Sequence, residues 1–221
     1  MITPDFARRL TAECVGTAFL LAAVVGSGIM ADKLSGGNSG LALLCNALAT
    51  GAALFVLITI FGPVSGAHFN PAVTAVMRLR GDVSTRDLIG YSAFQIFGGL
   101  AGVLIAHVMF DQALFQVSTT VRTGGGQWVA ECVAAFGLIL TILGTVRYRP
   151  ENVAAAVGLY IVSAYWFTAS TSFANPAVTI ARGFTDTFAG IAPSGIAAFI
   201  AAQMAGAVAA LYVADWLFKK D

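Results

Sequence analysis

The feature that most constrains this chain is a five-residue phrase that occurs twice. Asn70-Pro71-Ala72-Val73-Thr74 recurs as Asn175-Pro176-Ala177-Val178-Thr179, 105 positions later. Each copy has the form of a helix start. Asn is among the best N-cap residues, and Pro fits the first helical position, where a missing N–H is no loss. If the Asn carbonyl oxygen caps its own helix, its amide hydrogens stay free to point elsewhere. The helical reading runs from Asn70 to about Leu79 and from Asn175 to about Phe184. Ten residues rise roughly 15 Å, half of a ~30 Å hydrocarbon core. Two half-spanning helices meeting N-terminus to N-terminus at a membrane midplane account for both stretches.

The rest of the chain supplies the membrane. Apolar residues make up 58% and charged residues 10%, and the mean hydropathy is +0.83, far from a soluble domain. Leu10–Met30, Leu41–Phe61, Leu88–Phe110, Trp128–Val146, Val153–Thr168 and Ile196–Phe218 are six long apolar runs. Most reach the ~20 residues a spanning helix needs; the fifth is marginal. In lipid they must be helices, because an open strand leaves backbone groups unpaired. Arg8 and Arg9 lead straight into a full-length span with no small-residue cleavage site, so no cleavable leader is expected. The expectation is an all-α integral membrane protein of one domain, residues 1–221.

Arg8, Arg9, Arg78, Arg80, Arg86, Arg147, Arg149, Lys219 and Lys220 fall on one side of a six-span topology; Lys33, Arg122 and Arg182 fall on the other. That bias puts both termini in the cytoplasm. The net charge of +1 and the lack of a basic, aromatic-interleaved patch give no reason to expect a nucleic-acid partner. No metal-ligand cluster, nucleotide-binding loop or nucleophile-base arrangement is present, so neither a metal, a cofactor nor an enzyme is expected. Cys14, Cys45 and Cys132 lie inside spans and read as small buried apolar residues.

Other segments repeat in the same order. Ala12-Glu13-Cys14-Val15 returns as Ala130-Glu131-Cys132-Val133, and Gln95-Ile96-Phe97-Gly98 resembles Gln203-Met204-Ala205-Gly206. Repeat one covers about 8–110 and repeat two about 127–218, divided in the Asp111–Gly126 loop. Three spans per repeat is an odd number, so the second half enters the bilayer from the opposite side. That is an inverted repeat. Gly16, Gly51, Gly98, Gly99, Gly102, Gly158 and Gly206 read as close-packing positions between helices.

Glu13 and Glu131 are the acids deep in spans one and four, and an intramembrane carboxylate needs a use. One use is a proton relay. The other is structural: a carboxylate can accept several N–H bonds from the non-helical backbone before each half-helix. His68 could titrate or gate, or bond neighbouring loop backbone. His107 has no assigned role.

On these residues the chain resembles the major intrinsic protein family, the aquaporins and aquaglyceroporins. The resemblance rests on Glu13 and Glu131, on Ser65-Gly66-Ala67-His68-Phe69-Asn70-Pro71-Ala72-Val73, on Asn175-Pro176-Ala177, and on six spans plus two half-helices; it covers essentially the whole chain. It implies a bundle of six helices around one pore per subunit, usually a tetramer. It also implies that Asn70 and Asn175 donate hydrogen bonds to solute at the pore centre. Counting from the motifs as the family's constriction is built puts Thr50, Ser172 and Val178 at a selectivity filter, with Ser163 as the fourth member or, on a shifted helix, Tyr165 or Trp166. In most of the family an Arg stands where this chain has Val178. Either the constriction lacks that charge, or Arg182, four residues on and on the same helix face, supplies it at the outer mouth.

The phrase Ala164–Phe173, with Val178 and the tail Asp186–Pro193, looks like a bacterial branch of the family associated with arsenic resistance. That likeness implies trivalent metalloids, arsenite and methylated arsenicals, with small polyols and water, passing through the inner membrane. Two other readings remain open: a channel mainly for water, and an ion-coupled secondary transporter, since inverted repeats and broken helices also build those.

Overall fold

The computed structural model describes residues 4–219. Its secondary structure is helical: α1 (Phe6–Leu34), α2 (Ser39–Ser65), α3 (Pro71–Arg80), α4 (Thr85–Met109), α5 (Gly125–Tyr148), α6 (Val153–Phe167), α7 (Pro176–Arg182) and α8 (Pro193–Leu217), with a 3-10 turn at Pro150–Asn152. Local capping explains several starts. Asp5 accepts from Arg8 N at 2.8 Å and Asn38 from Leu41 N at 3.0 Å. Ser84 and Asp87 form a reciprocal capping box on α4.

Five helices, α1, α2, α4, α5 and α8, are long and apolar enough to cross a membrane. Helix α6 has 15 residues, about 22 Å, and stops at Phe167. There the Thr168 hydroxyl turns back on Ala164 O at 2.7 Å and the chain goes extended. The second half-helix is shorter than its ten-residue expectation, ending at Arg182 after seven residues. Its last turn tightens, with Gly183 N bonding Ile180 O and Phe184 N bonding Ala181 O, and Ile191 N then claims the Arg182 carbonyl.

Equivalent contacts recur in the two halves of the chain. A Cβ on Gly98 would collide with the carbonyl oxygen of Cys14, and one on Gly206 with that of Cys132. Only glycine lets α4 lie backbone-to-backbone on α1, and α8 on α5. Helices α2 and α6 meet the same way, where a Cβ on Gly51 would lie 2.8 Å from Gly158 O. The start of α1 and the end of α8 both sit by the α3–α4 turn: Arg9 pairs with Asp87 at 2.8 Å, and Arg80 reaches Asp215 at 3.4 Å. Both ends of the described chain are therefore on one side of the bundle. Lys220, counted with that side above, lies outside the described residues.

One burial expectation is corrected. Cys45 is exposed on the bundle's outer face, and Cys14 and Cys132 are half-buried. At the two close contacts it is the backbone of Cys14 and Cys132 that meets glycine. The outer face carries large apolar side chains such as Phe19, Phe97 and Leu159, as a lipid-facing surface does. Inside, Glu13, Gln95, His107, Glu131 and Gln203 are fully buried.

Candidate functional site

Two non-helical loops, Gly66–Phe69 and Thr168–Ala174, enter the bundle from opposite ends and stop at the two asparagines. Ala67, Phe69, Thr171, Ser172 and Ala174 all hold positive φ, between 49° and 62°. Each such residue costs on the order of 1–3 kcal/mol unless its surroundings enforce it. The buried carboxylates do the enforcing. Glu13 accepts from His68 N (2.9 Å), Phe69 N (2.7 Å), the Ser65 hydroxyl (2.6 Å) and the Gln95 amide (2.7 Å). Glu131 accepts from Phe173 N (2.8 Å), Ala174 N (2.9 Å) and the Gln203 amide (2.6 Å). The geometry is that of loop support, with every carboxylate oxygen in use.

Gln95 and Gln203 were visible in the sequence only as a repeat. Each bridges its carboxylate to the half-helix, Gln95 to Thr74 Oγ1 at 3.1 Å and Gln203 to Thr179 Oγ1 at 2.9 Å. A buried amide at equivalent places in both halves was the signal that could have revealed them. His68 bonds the Thr74 hydroxyl through Nδ1 at 3.1 Å, where loop backbone was one expectation. Its own N–H is the group that serves Glu13. His107 joins two loops away from the site, meeting Leu114 O at 2.9 Å and Thr185 Oγ1 at 2.8 Å.

The asparagines cap their helices as expected. Asn70 Oδ1 accepts from Ala72 N at 2.9 Å; Asn175 Oδ1 accepts from Ala177 N at 2.9 Å and Val178 N at 3.3 Å. Their amides are less free than the capping argument implies. Asn70 Nδ2 donates to Ala174 O and Asn175 Nδ2 to Phe69 O, each at 2.8 Å. One amide hydrogen on each is spent holding the opposite loop. The second has no protein acceptor, and both side chains line a cavity of about 270 Å³.

That cavity extends from Met77, Val146 and Val153 at one end to Thr50, Val178 and Arg182 at the other. Thr50, Ser172 and Val178 line it, as do Tyr165 and Arg182. Ser163 does not. It is exposed on the far side of α6 and its hydroxyl turns onto Tyr160 O at 2.9 Å. At about 100° per residue, Val157, Ile161 and Tyr165 share one helix face and Ser163 falls on the other. Tyr165 lines the cavity in its stead, its hydroxyl 3.3 Å from Thr50 Oγ1. Trp166 is half-exposed on the outside. The Ser172 hydroxyl is buried without a protein partner.

A bundle of this topology, with two facing half-helices in one cavity, has relatives. The sequence profile described as Major intrinsic protein matches residues 1–152. The chain belongs to the major intrinsic protein family. It is 54% identical over 215 residues to aquaglyceroporin AqpS of Rhizobium meliloti (strain 1021), covering 97% of this chain and 92% of that protein. It is 26% identical over 230 residues to aquaporin Z of Brucella melitensis biotype 1, covering 96% and 99%. The crystal structure of the aquaglyceroporin from Plasmodium falciparum superposes with a TM-score of 0.76 over 97% of this chain and 96% of that one. At 18% identity that likeness concerns the fold alone. This major intrinsic protein is thus a multi-pass integral membrane channel with the aquaporin fold.

Proposed function

We propose that this major intrinsic protein is a passive pore for small uncharged solutes: trivalent metalloids such as arsenite and methylated arsenicals, small polyols, and water. The observation that carries the reading is the cavity end where Thr50, Ser172 and Val178 stand beside Tyr165. Three of these four side chains are small. Thr50 and Tyr165 carry hydroxyls that can exchange hydrogen bonds with a hydroxylated solute, and none of the four is charged. Arsenous acid at neutral pH is a neutral polyhydroxyl molecule, so a lumen suited to glycerol suits it too. The likeness to a protein called an aquaglyceroporin supports the polyol part.

On this reading the unspent amide hydrogens of Asn70 and Asn175 donate to solute oxygen at the centre. A solute that shed water to enter regains bonds there without bringing a charge into a low-dielectric passage. The N-termini of α3 and α7 face the lumen with partial positive charge and disfavour cations. Glu13 accepts four hydrogen bonds and Glu131 three from loop N–H groups, a hydroxyl and amides, a structural use that speaks against a transporter and against an enzymatic role alike. We further propose an inverted repeat of residues 8–110 and 127–218, a homotetramer in a bacterial inner membrane, and cytoplasmic termini, the last from the Lys and Arg bias.

Tyr165 favours a second reading, a channel mainly for water, because an aromatic at the constriction narrows it. Stopped-flow measurements on proteoliposomes with water, glycerol and arsenite decide between the two. Arsenite and glycerol fluxes well above empty liposomes support the first reading; water flux alone supports the second.

A further inference from the structure

Two arginines converge on one ring at the Val178 end of the cavity. The Arg182 guanidinium carbon lies 3.4 Å from the centroid of Phe173, and that of Arg122 lies 5.3 Å from it. Neither meets a carboxylate. Ion pairs among the described residues involve Arg8, Arg9 and Arg80, and Glu131 is taken by N–H donors. Backbone carbonyls of the 183–192 loop hold both instead. Arg182 Nε donates to Ala189 O. Arg122 donates to Gly190 O at 2.8 Å and Phe188 O at 3.5 Å. That loop is itself strapped down, Ile191 N to Arg182 O and Ala192 N to Thr120 O.

Arg182 is 2% exposed and is the one permanently charged side chain that lines the cavity. Its two terminal nitrogens have no acceptor among the described residues and so keep four N–H groups for whatever occupies the lumen. Carbonyl oxygens carry only partial negative charge, and the carboxylate within Coulombic reach of both arginines is Glu131, so two guanidinium charges against one carboxylate leave this cavity end with a net positive field. The field acts through distance in a low-dielectric wall and does not require the side chain to cross the passage.

Resting on the pore reading above, we infer that Arg182, backed by Arg122, adds to the cation exclusion of the α3 and α7 N-termini a second charge barrier one helical turn beyond Val178, apart from size selection. Where an arginine occupies the narrow ring, one side chain supplies both bulk and charge. Here the guanidinium lies against Phe173 and the ring keeps Val178. The passage stays open to neutral hydroxylated solutes larger than water, while sodium and hydronium meet the positive collar.

The test is the ratio of sodium entry to glycerol flux in proteoliposomes, for native protein, Arg182→Gln, Arg182→Lys and Arg122→Gln. The expected ratio rises about tenfold in Arg182→Gln and about threefold in Arg122→Gln, and stays near native in Arg182→Lys, which keeps the charge. A conducting Arg182→Gln with the native ratio overturns the inference, as does an Arg182→Lys as leaky as Arg182→Gln. If Arg182→Gln passes no glycerol because its loop has collapsed, Arg122→Gln decides, an unmoved ratio counting against the inference. A native protein that passes neither water nor glycerol would instead overturn the pore reading itself.

Discussion

The hydroxyl of Tyr165 lies 3.3 Å from Thr50 Oγ1, a contact between residues 115 positions apart that joins α6 to α2 at the polar end of the cavity. It sets Tyr165 on the cavity wall beside Thr50, where counting along the chain offers Ser163.

Tyr165→Ala is expected to widen the passage and raise glycerol permeability more than water permeability, while Ser163→Ala leaves both within about twofold of native, as an exposed surface change should. Paired stopped-flow traces for the two variants provide the measurement. A larger effect from Ser163→Ala than from Tyr165→Ala would return the fourth position to Ser163.

Val178→Arg should act in the opposite direction. It places five N–H donors and a fixed charge in the ring, one turn before Arg182. Arsenite and glycerol permeability are expected to fall well below water permeability. An unchanged arsenite-to-water ratio would show that the filter lies elsewhere.

Glu131→Gln should be more damaging than a simple loss of charge implies. The carboxylate uses one oxygen for Phe173 N and the other for Ala174 N and Gln203. A glutamine brings one acceptor and turns an NH₂ toward a donor. A loss of about 1–3 kcal/mol is expected, and a larger one for Glu131→Leu, read from thermal unfolding in detergent. If flux instead shows a steep pH dependence that vanishes in Glu131→Gln, the carboxylate relays protons.

Asn70→Asp removes the donor that Ala174 O accepts and sets a carboxylate against that carbonyl oxygen. Neutral-solute flux is expected to drop, with a new cation leak and a stability loss of about 1–3 kcal/mol. Asn175→Asp should do the same through Phe69 O. Flux assays at matched protein level check both, and unchanged permeability in the pair would take the asparagines out of the pore.

Asp186 gives a pH-dependent handle on the loops beyond α7. The backbone N–H and hydroxyl of Thr119 bond its carboxylate, at 2.8 and 2.9 Å, and hold its pKa below the ordinary 3.8. A depressed folded value means the tie is fully present above the unfolded pKa and is lost as pH falls through the lower folded one. Thr119 amide exchange should be protected at pH 7 and in Asp186→Asn partly deprotected at the same pH. Equal protection in both would show that the carboxylate does not hold the loop.

What was legible in the sequence was what is decided locally. Apolar run length, the Asn-Pro helix starts and the lone intramembrane acids each follow from a few neighbouring residues. The register of α6 was not legible, because that helix is apolar all round and its pattern marks no inward face; Val157, Ile161 and Tyr165 differ from Ser163 only by angle. Cysteine burial failed for a related reason. Lipid and protein core are both apolar, so hydropathy does not separate exposed Cys45 from a buried residue. The destinations of the Asn70 and Asn175 amides, and the roles of Gln95 and Gln203, depend on partners far away in the chain.

The crossed bonds of Asn70 to Ala174 and Asn175 to Phe69 carry a consequence for how the protein is made. The partners stand 104 and 106 residues apart. At about 5–20 residues per second, the ribosome needs roughly 5–20 s to supply the second loop after the first. Through that interval Phe69 O has no Asn175 amide to meet, and the Asn70 amide no Ala174 carbonyl. The centre of the pore therefore cannot exist in either half alone. It closes only when the second loop arrives, which ties the birth of the conducting path to completion of the chain.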